Sequence, residues 1–171
     1  MPAVLGLVLT LVIVARPTPL WAQGSTDAGE TAEEQANAEV ARRFFDELHS
    51  EGNLAVAEEI VAPDAVFHVP GAELIGPEGV GGLVTVLRTA FPDAEFPIAD
   101  LAVDGDTVVV RWSMTGTSEG EFQGIPPTGE SVEMSGIAYL RIVDGQIVED
   151  WVEYNLFGLL QQLGAIPTAT A

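Results

Sequence analysis

Cysteine is missing from this 171-residue sequence, lysine is missing as well, and the 6 basic residues, all Arg, face 26 acidic ones. Without Cys there is no disulfide, no thiolate nucleophile, no Cys-ligated metal and no site for a lipoprotein anchor, and the redox compartment stays open. A formal net charge of −20 repels phosphate backbones and anionic lipid headgroups, which argues against a nucleic-acid partner. The acidity reads as solubility or as fitness for a salty habitat. Only two His are present, no His-x-x-x-His occurs, and the acids are spread along the chain, so no metal-ligand set stands out. Gly79-Val-Gly-Gly lacks Lys and the dinucleotide spacing, so no phosphate cradle is present. No cofactor is expected.

Long apolar runs are also scarce. Ala3 to Ala15 is shorter than the ~20 residues of a spanning helix but has the length of a signal-peptide core, and Leu20-Trp-Ala-Gln follows it. Residues 1–22 are therefore expected to be a secretory signal cut after Ala22, with an uncleaved anchor as the alternative, and the protein to be secreted or periplasmic. Cleavage would remove Arg16 and no acid, leaving 5 − 26 = −21 formal charges. Residues 23–36 read as a flexible linker, 37–166 as one domain and 167–171 as a frayed tail.

What is there in quantity is alternation. Val108, Val110, Trp112 and Met114 share one side of a strand, and Thr107, Val109, Arg111 and Ser113 the other. Ser131 to Val143 alternates likewise, and Asp144-Gly145 is a hairpin signal joining it to Gln146–Asn155. Upstream, Thr31 and Glu34 make a capping box for a helix carrying Val40, Phe44, Phe45 and Leu48 on one stripe. A short helix from Leu54, a strand Ala65–Val69, a helix opened by Gly76-Pro77 and a strand Glu95–Val103 follow. Asn155 is suited to cap a last helix, ended by Gly164. Helices gathered on one face of an antiparallel sheet make an α+β domain, with the sheet bent around the first helix into a cone with a mouth.

Five ordered motifs resemble one family: Phe91-Pro-Asp; Asp104-Gly-Asp-Thr-Val-Val-Val-Arg-Trp; the run from Gly116 through Pro126-Pro127 to Gly129; Asp144-Gly-Gln-Ile-Val-Glu-Asp-Trp; and Gln162-Leu-Gly. Together they resemble SnoaL-like polyketide cyclases, or ester cyclases, of the nuclear transport factor 2-like superfamily, over about residues 38–166. That resemblance implies the cone (also called a cystatin-like α+β barrel), a small hydrophobic ligand, and a homodimer formed by open sheet faces. It also implies a pocket carboxylate four residues after the strand Trp, acting as acid/base in an intramolecular aldol closure. Asn155 stands there instead, and an amide cannot take and return a proton. Ser118 stands where members often have His.

Polar Arg111, Glu133, Tyr139, Glu149, Glu153 and Asn155 lie inside apolar runs, the pattern of a pocket-lining sheet. By parity Glu149, Trp151, Glu153 and Asn155 share a face, so Glu153 becomes the replacement carboxylate, its pKa raised by apolar neighbours; the alternative is a solvated rim charge. His68, where the family often carries His, reads as a pocket base or as a half-buried ring bonded to a backbone carbonyl. His49 reads as a solvated cation at a helix end. Arg111 reads as a substrate clamp or as the partner of Glu149 or Glu133. Trp112, Met134, Tyr139 and Trp151 are the expected pocket wall, or else core, with Trp112 and Arg111 necessarily facing opposite ways. The Gly120–Gly129 loop reads as a lip over the mouth. Two functions follow: a cofactor-free cyclase, isomerase or hydrolase acting through His68, Glu153 and Asn155, or a non-catalytic carrier with the same fold.

Overall fold

The computed structural model describes residues 31–167; the expected signal at 1–22 lies outside them, as does most of the tail. Helix α1, Ala32–Arg43, starts at the capping box, with the Thr31 hydroxyl accepting from the Glu34 amide at 3.1 Å and Glu34 accepting from the Thr31 amide at 2.7 Å. The stretch expected to end as linker at 36 is thus already helical from 32, because both free amides of the first turn find partners. From Phe44 to Ser50 the helix widens to π form. Helix α2, Ala55–Ile60, leads into β1, Val61–Val69, and β2, Ala72–Ile75, an edge strand with no counterpart in the sequence reading. Helix α3, Gly76–Ala90, has Pro in its first turn. Then come β3, Ile98–Asp104; β4, Thr107–Thr117; β5, Ser131–Val143; β6, Gln146–Tyr154; and α4, Leu156–Gln162.

The sheet is six-stranded, curved and unclosed, in the order β2-β1-β6-β5-β4-β3. Four of the five pairings are antiparallel, as alternation and Asp-Gly turns demand; β1 joins β6 in parallel. Asp144 and Gly145 both take positive φ, 51° and 77°, the backbone of a tight two-residue hairpin. Strand β5 alternates strictly between exposed and buried side chains, so one face meets the core and the other meets solvent.

On the concave face, Val108, Val110, Trp112 and Met114 of β4 meet Met134, Ala138 and Leu140 of β5, under Phe44, Phe45, Leu48, Val80 and Val84 of the helices. Burying each of these large side chains contributes about 1.5–3 kcal/mol. Asn155 caps α4, its side-chain oxygen accepting from the Gly158 amide at 2.9 Å. Among the described residues no helix is long and apolar enough to cross a membrane.

Candidate functional site

Between helices and sheet lies a hollow of about 60 Å³, walled by Phe44, Phe45, Phe67, Phe96, Leu83, Leu87, Met134 and Val152, with Trp112, His49, Asp150 and Tyr154 as its polar members. Of the residues expected at a site, Trp112 and Met134 border this hollow and the others do not. Tyr139, Trp151, Glu153 and Asn155 are exposed, the first three on the outer sheet face, the last committed to its helix cap. His68 also stands outside: its Nδ1 is 3.2 Å from Glu73 Oε1, its Nε2 is 3.1 Å from Glu149 Oε1, and its ring stacks on Trp151 at 5.1 Å. The Glu149 contact chiefly, and Glu73 next, raise its pKa. Arg111 and Glu133 are exposed as well, and no residue of the Gly120–Gly129 loop lines the hollow. That loop packs Phe122 on Phe91, with 5.4 Å between ring centroids.

The expected face rested on Asn155 entering the hollow; Asn155 caps α4 instead, and Trp151 and Glu153, which share its parity, are exposed with it. The strand itself changes face earlier, at one extra residue. Arg141 pairs with Glu149 but Ile142 pairs with Ile147, so Val148 bulges out of register. A bulge reverses which side chains face inward beyond it. Ile147 before it is buried, yet after it Asp150, Val152 and Tyr154 turn to the hollow while Trp151 and Glu153 turn out. Counting by twos from Ile147 gives the wrong face.

Asp150 therefore sits in the sheet between Phe67 of β1 and Leu140 of β5, 3% exposed, with Oδ1 lacking any hydrogen-bond partner. Desolvation pushes its pKa up to about 7, against a smaller opposing pull from His68. At neutral pH such a carboxyl exists as acid and base together.

His49 is a second correction. The widened π turn carries it inward, 7% exposed, against Phe44, Phe45 and Phe96 with centroids 4.6, 5.8 and 5.2 Å away. Its Nδ1 lies 2.7 Å from the Phe44 carbonyl and so must donate, leaving Nε2 a lone-pair acceptor. Burial holds its pKa down at about 4, overcoming the opposing effect of that bond, so the ring is neutral and not a solvated cation. Arg88 ties this turn down, Nη1 donating to the carbonyls of His49 (3.3 Å), Ser50 and Ala94 (3.1 Å). Single π turns inside helices are frequent at functional sites.

Trp112 is buried with its Nε1 donor unpartnered. Its indole lies flat across β5 because position 136 is Gly: a Cβ there would come within 2.5 Å of Trp112 Cζ2 and 2.8 Å of the Glu153 carbonyl. Tyr154, paired across Gly136, stands 6.3 Å from the indole and keeps its phenol proton to higher pH than usual through burial and the nearby Glu153. Among the described residues no three His, Cys, Asp or Glu converge where a metal could be held.

An α+β half-cone with a buried carboxyl in its apolar interior defines a fold class that hosts many functions, so the site and not the fold has to carry any functional reading. The family description SnoaL-like polyketide cyclase matches residues 39–163, and the chain belongs to that family. It is similar to a protein of Jannaschia sp. CCS1 assigned as a SnoaL-like polyketide cyclase, 29% identical with TM-score 0.73 over 81% of this chain and 99% of that one. IdmH of Streptomyces antibioticus, assigned as a polyketide cyclase, is 33% identical with TM-score 0.66 over 75% and 98%. AclR of Streptomyces galilaeus, assigned as a hydroxylase, is 28% identical with TM-score 0.72 over 80% and 86%. No curated protein matches the chain.

Proposed function

We propose that this SnoaL-like protein is a cofactor-free acid/base catalyst acting on a hydrophobic carbonyl compound through Asp150. What supports this is a partnerless carboxyl in an aromatic hollow, poised near pH 7. Asp150 carboxylate takes a proton from the carbon beside the carbonyl, and the Trp112 N–H, with the Tyr154 O–H, donates to the developing enolate oxygen. Where a double bond conjugates the enolate, the proton returns from Asp150 to the far carbon of the dienolate, an isomerisation; otherwise the enolate carbon attacks a second carbonyl of the same molecule, whose oxygen takes that proton, a ring closure.

The test is deuterium uptake beside the carbonyl of a panel of ketones in D2O, followed by NMR. Exchange is expected to rise as pH passes about 7 and to fall ~10²–10⁴-fold in Asp150→Asn. Equal exchange by both forms removes the assignment, and ligand binding without exchange by either makes the chain a carrier.

The residues that left the pocket support pairing of two copies. Ile137, Tyr139 and Trp151, 50%, 43% and 42% exposed, form an apolar strip on the outer sheet face. Exposed Arg111 and Arg141 border it along with Glu133 and Glu153. A face bearing both signs is self-complementary under a two-fold axis, and two of only 6 Arg stand on it. Trp151→Glu is expected to give a monomer in analytical ultracentrifugation where the unaltered chain is a dimer, the dimer strengthening with salt as acidic repulsion is screened. A chain that is monomeric at every salt concentration excludes it.

A further inference from the structure

The size and polarity of the hollow say what fits it. On the scale where one water needs about 10–15 Å³, its roughly 60 Å³ holds about four to six waters. That is the bulk of an organic molecule of about six or seven heavy atoms, far below the ~300–1,000 Å³ of a site for a drug-sized ligand. A fused polycycle does not fit.

Its polar groups are few and fixed in sense. Trp112 Nε1 can only donate, and it is buried without a partner. His49 Nε2 can only accept while Nδ1 donates to the Phe44 carbonyl. Asp150 Oδ1 is buried without a partner. No Arg is among the lining residues, so nothing there compensates an anion, and a carboxylate ligand would meet Asp150 unscreened.

Resting on the proposed proton transfer at Asp150, we infer that the hollow selects a short, uncharged molecule bearing a carbonyl and a hydroxyl, a hydroxyketone or the enol of a β-dicarbonyl. Its carbonyl oxygen accepts from Trp112 Nε1–H and its hydroxyl donates to His49 Nε2. Asp150 meets the carbon between or beside them. A buried donor and a buried acceptor left unpaired against any other ligand penalise it, which is where hydrogen-bonding pockets derive most of their selectivity. Recognition by Trp112 and His49 is distinct from chemistry by Asp150.

The experiment titrates the full chain with acetylacetone, hydroxyacetone, acetate and 2-naphthol while recording the indole N–H signals in ¹H–¹⁵N spectra. Trp112 is assigned as the signal lost in Trp112→Phe. Acetylacetone and hydroxyacetone are expected to shift the Trp112 signal downfield, saturably, and acetate and 2-naphthol to leave it in place. Acetylacetone affinity is expected to fall about tenfold or more in Trp112→Phe. In Asp150→Asn the shift persists while deuterium exchange is lost. Acetylacetone and hydroxyacetone binding with no exchange of hydroxyacetone above its rate in buffer supports the recognition and overturns only the catalysis. The inference is overturned if acetylacetone leaves the Trp112 signal unmoved, if acetate or 2-naphthol shifts it as strongly, or if the shift arises at Trp151. Selectivity among ligands is read on the unaltered chain, and should Trp112→Phe fail to fold, loss of the exposed indole's signal in Trp151→Phe tells the two apart.

Discussion

Asp150→Asn is expected to stabilise the folded chain at pH 8, by up to about 4 kcal/mol, while abolishing the proposed exchange. The carboxyl's pKa rises from an ordinary 3.8 to about 7 on burial, and each unit is worth about 1.36 kcal/mol. Between those values the folded state holds a proton that the unfolded state has released. The stability tied to this group is therefore fully present below pH ~4 and is lost as pH rises through 7. An amide of the same shape carries no such liability. His49 works in the opposite sense. Its pKa falls from 6.5 to about 4, so its contribution is present above pH ~6.5 and is lost as pH falls through 4. From pH 4 to 6.5 the two slopes oppose one another, and the unaltered protein should have a nearly flat profile there as far as these groups are concerned. Removing Asp150 exposes the His49 slope: the Asn variant should gain stability from pH 4 to 6.5 and then level off. Urea midpoints across pH 4–8 read both effects. A variant no more stable than its parent at pH 8 would mean that Asp150 is solvated and the acid/base proposal has lost its basis.

The second large effect is expected at Gly136. Its Ala variant brings a methyl to 2.5 Å from an indole carbon and 2.8 Å from a backbone carbonyl. The carbonyl belongs to β6 and cannot retreat without breaking the β5–β6 ladder, so the indole must move into the hollow. Overpacking of this kind costs about 1–3 kcal/mol. The expected outcome is a lowered urea midpoint together with loss of the acetylacetone response at Trp112. A variant with unchanged midpoint and unchanged response would show that the indole floor is not fixed by this contact.

Much of the molecule was legible in its letters. The one-sided alternation of β4 and β5, the Asp144-Gly145 hairpin, the Thr31 capping box and the Asn155 cap are local rules, and each is found where residue type and spacing put it. Trp112 and Met134 were readable because period two is unbroken along β4 and β5. Asp150 was not, since nothing in Gln146-Ile-Val-Glu-Asp-Trp marks Val148 as the residue that drops out of the ladder. That bulge is set by how β6 fits both β1 and β5, a non-local matter. His49 was hidden for a similar reason: a helix of ordinary pitch leaves its last turn in water, and the π turn that rotates the ring inward is held by Arg88, 39 residues further on. Both departures converge on the hollow, which fits the expectation that local rules give way where a site is built.

The parallel joint between β1 and β6 has a consequence for how the chain comes to be. Phe67 and Asp150, neighbours across that joint, are separated by 83 positions, since 150 − 67 = 83. During synthesis β1 can pack against β2 and against helices α2 and α3, but its parallel partner β6 is the last strand to leave the ribosome. The carboxyl is thus walled in at the closing stage, after the strand that carries it has turned back from Asp144-Gly145 and docked. Long-range closures of this kind slow folding, and here the slow step is also the one that takes the Asp150 carboxyl out of water.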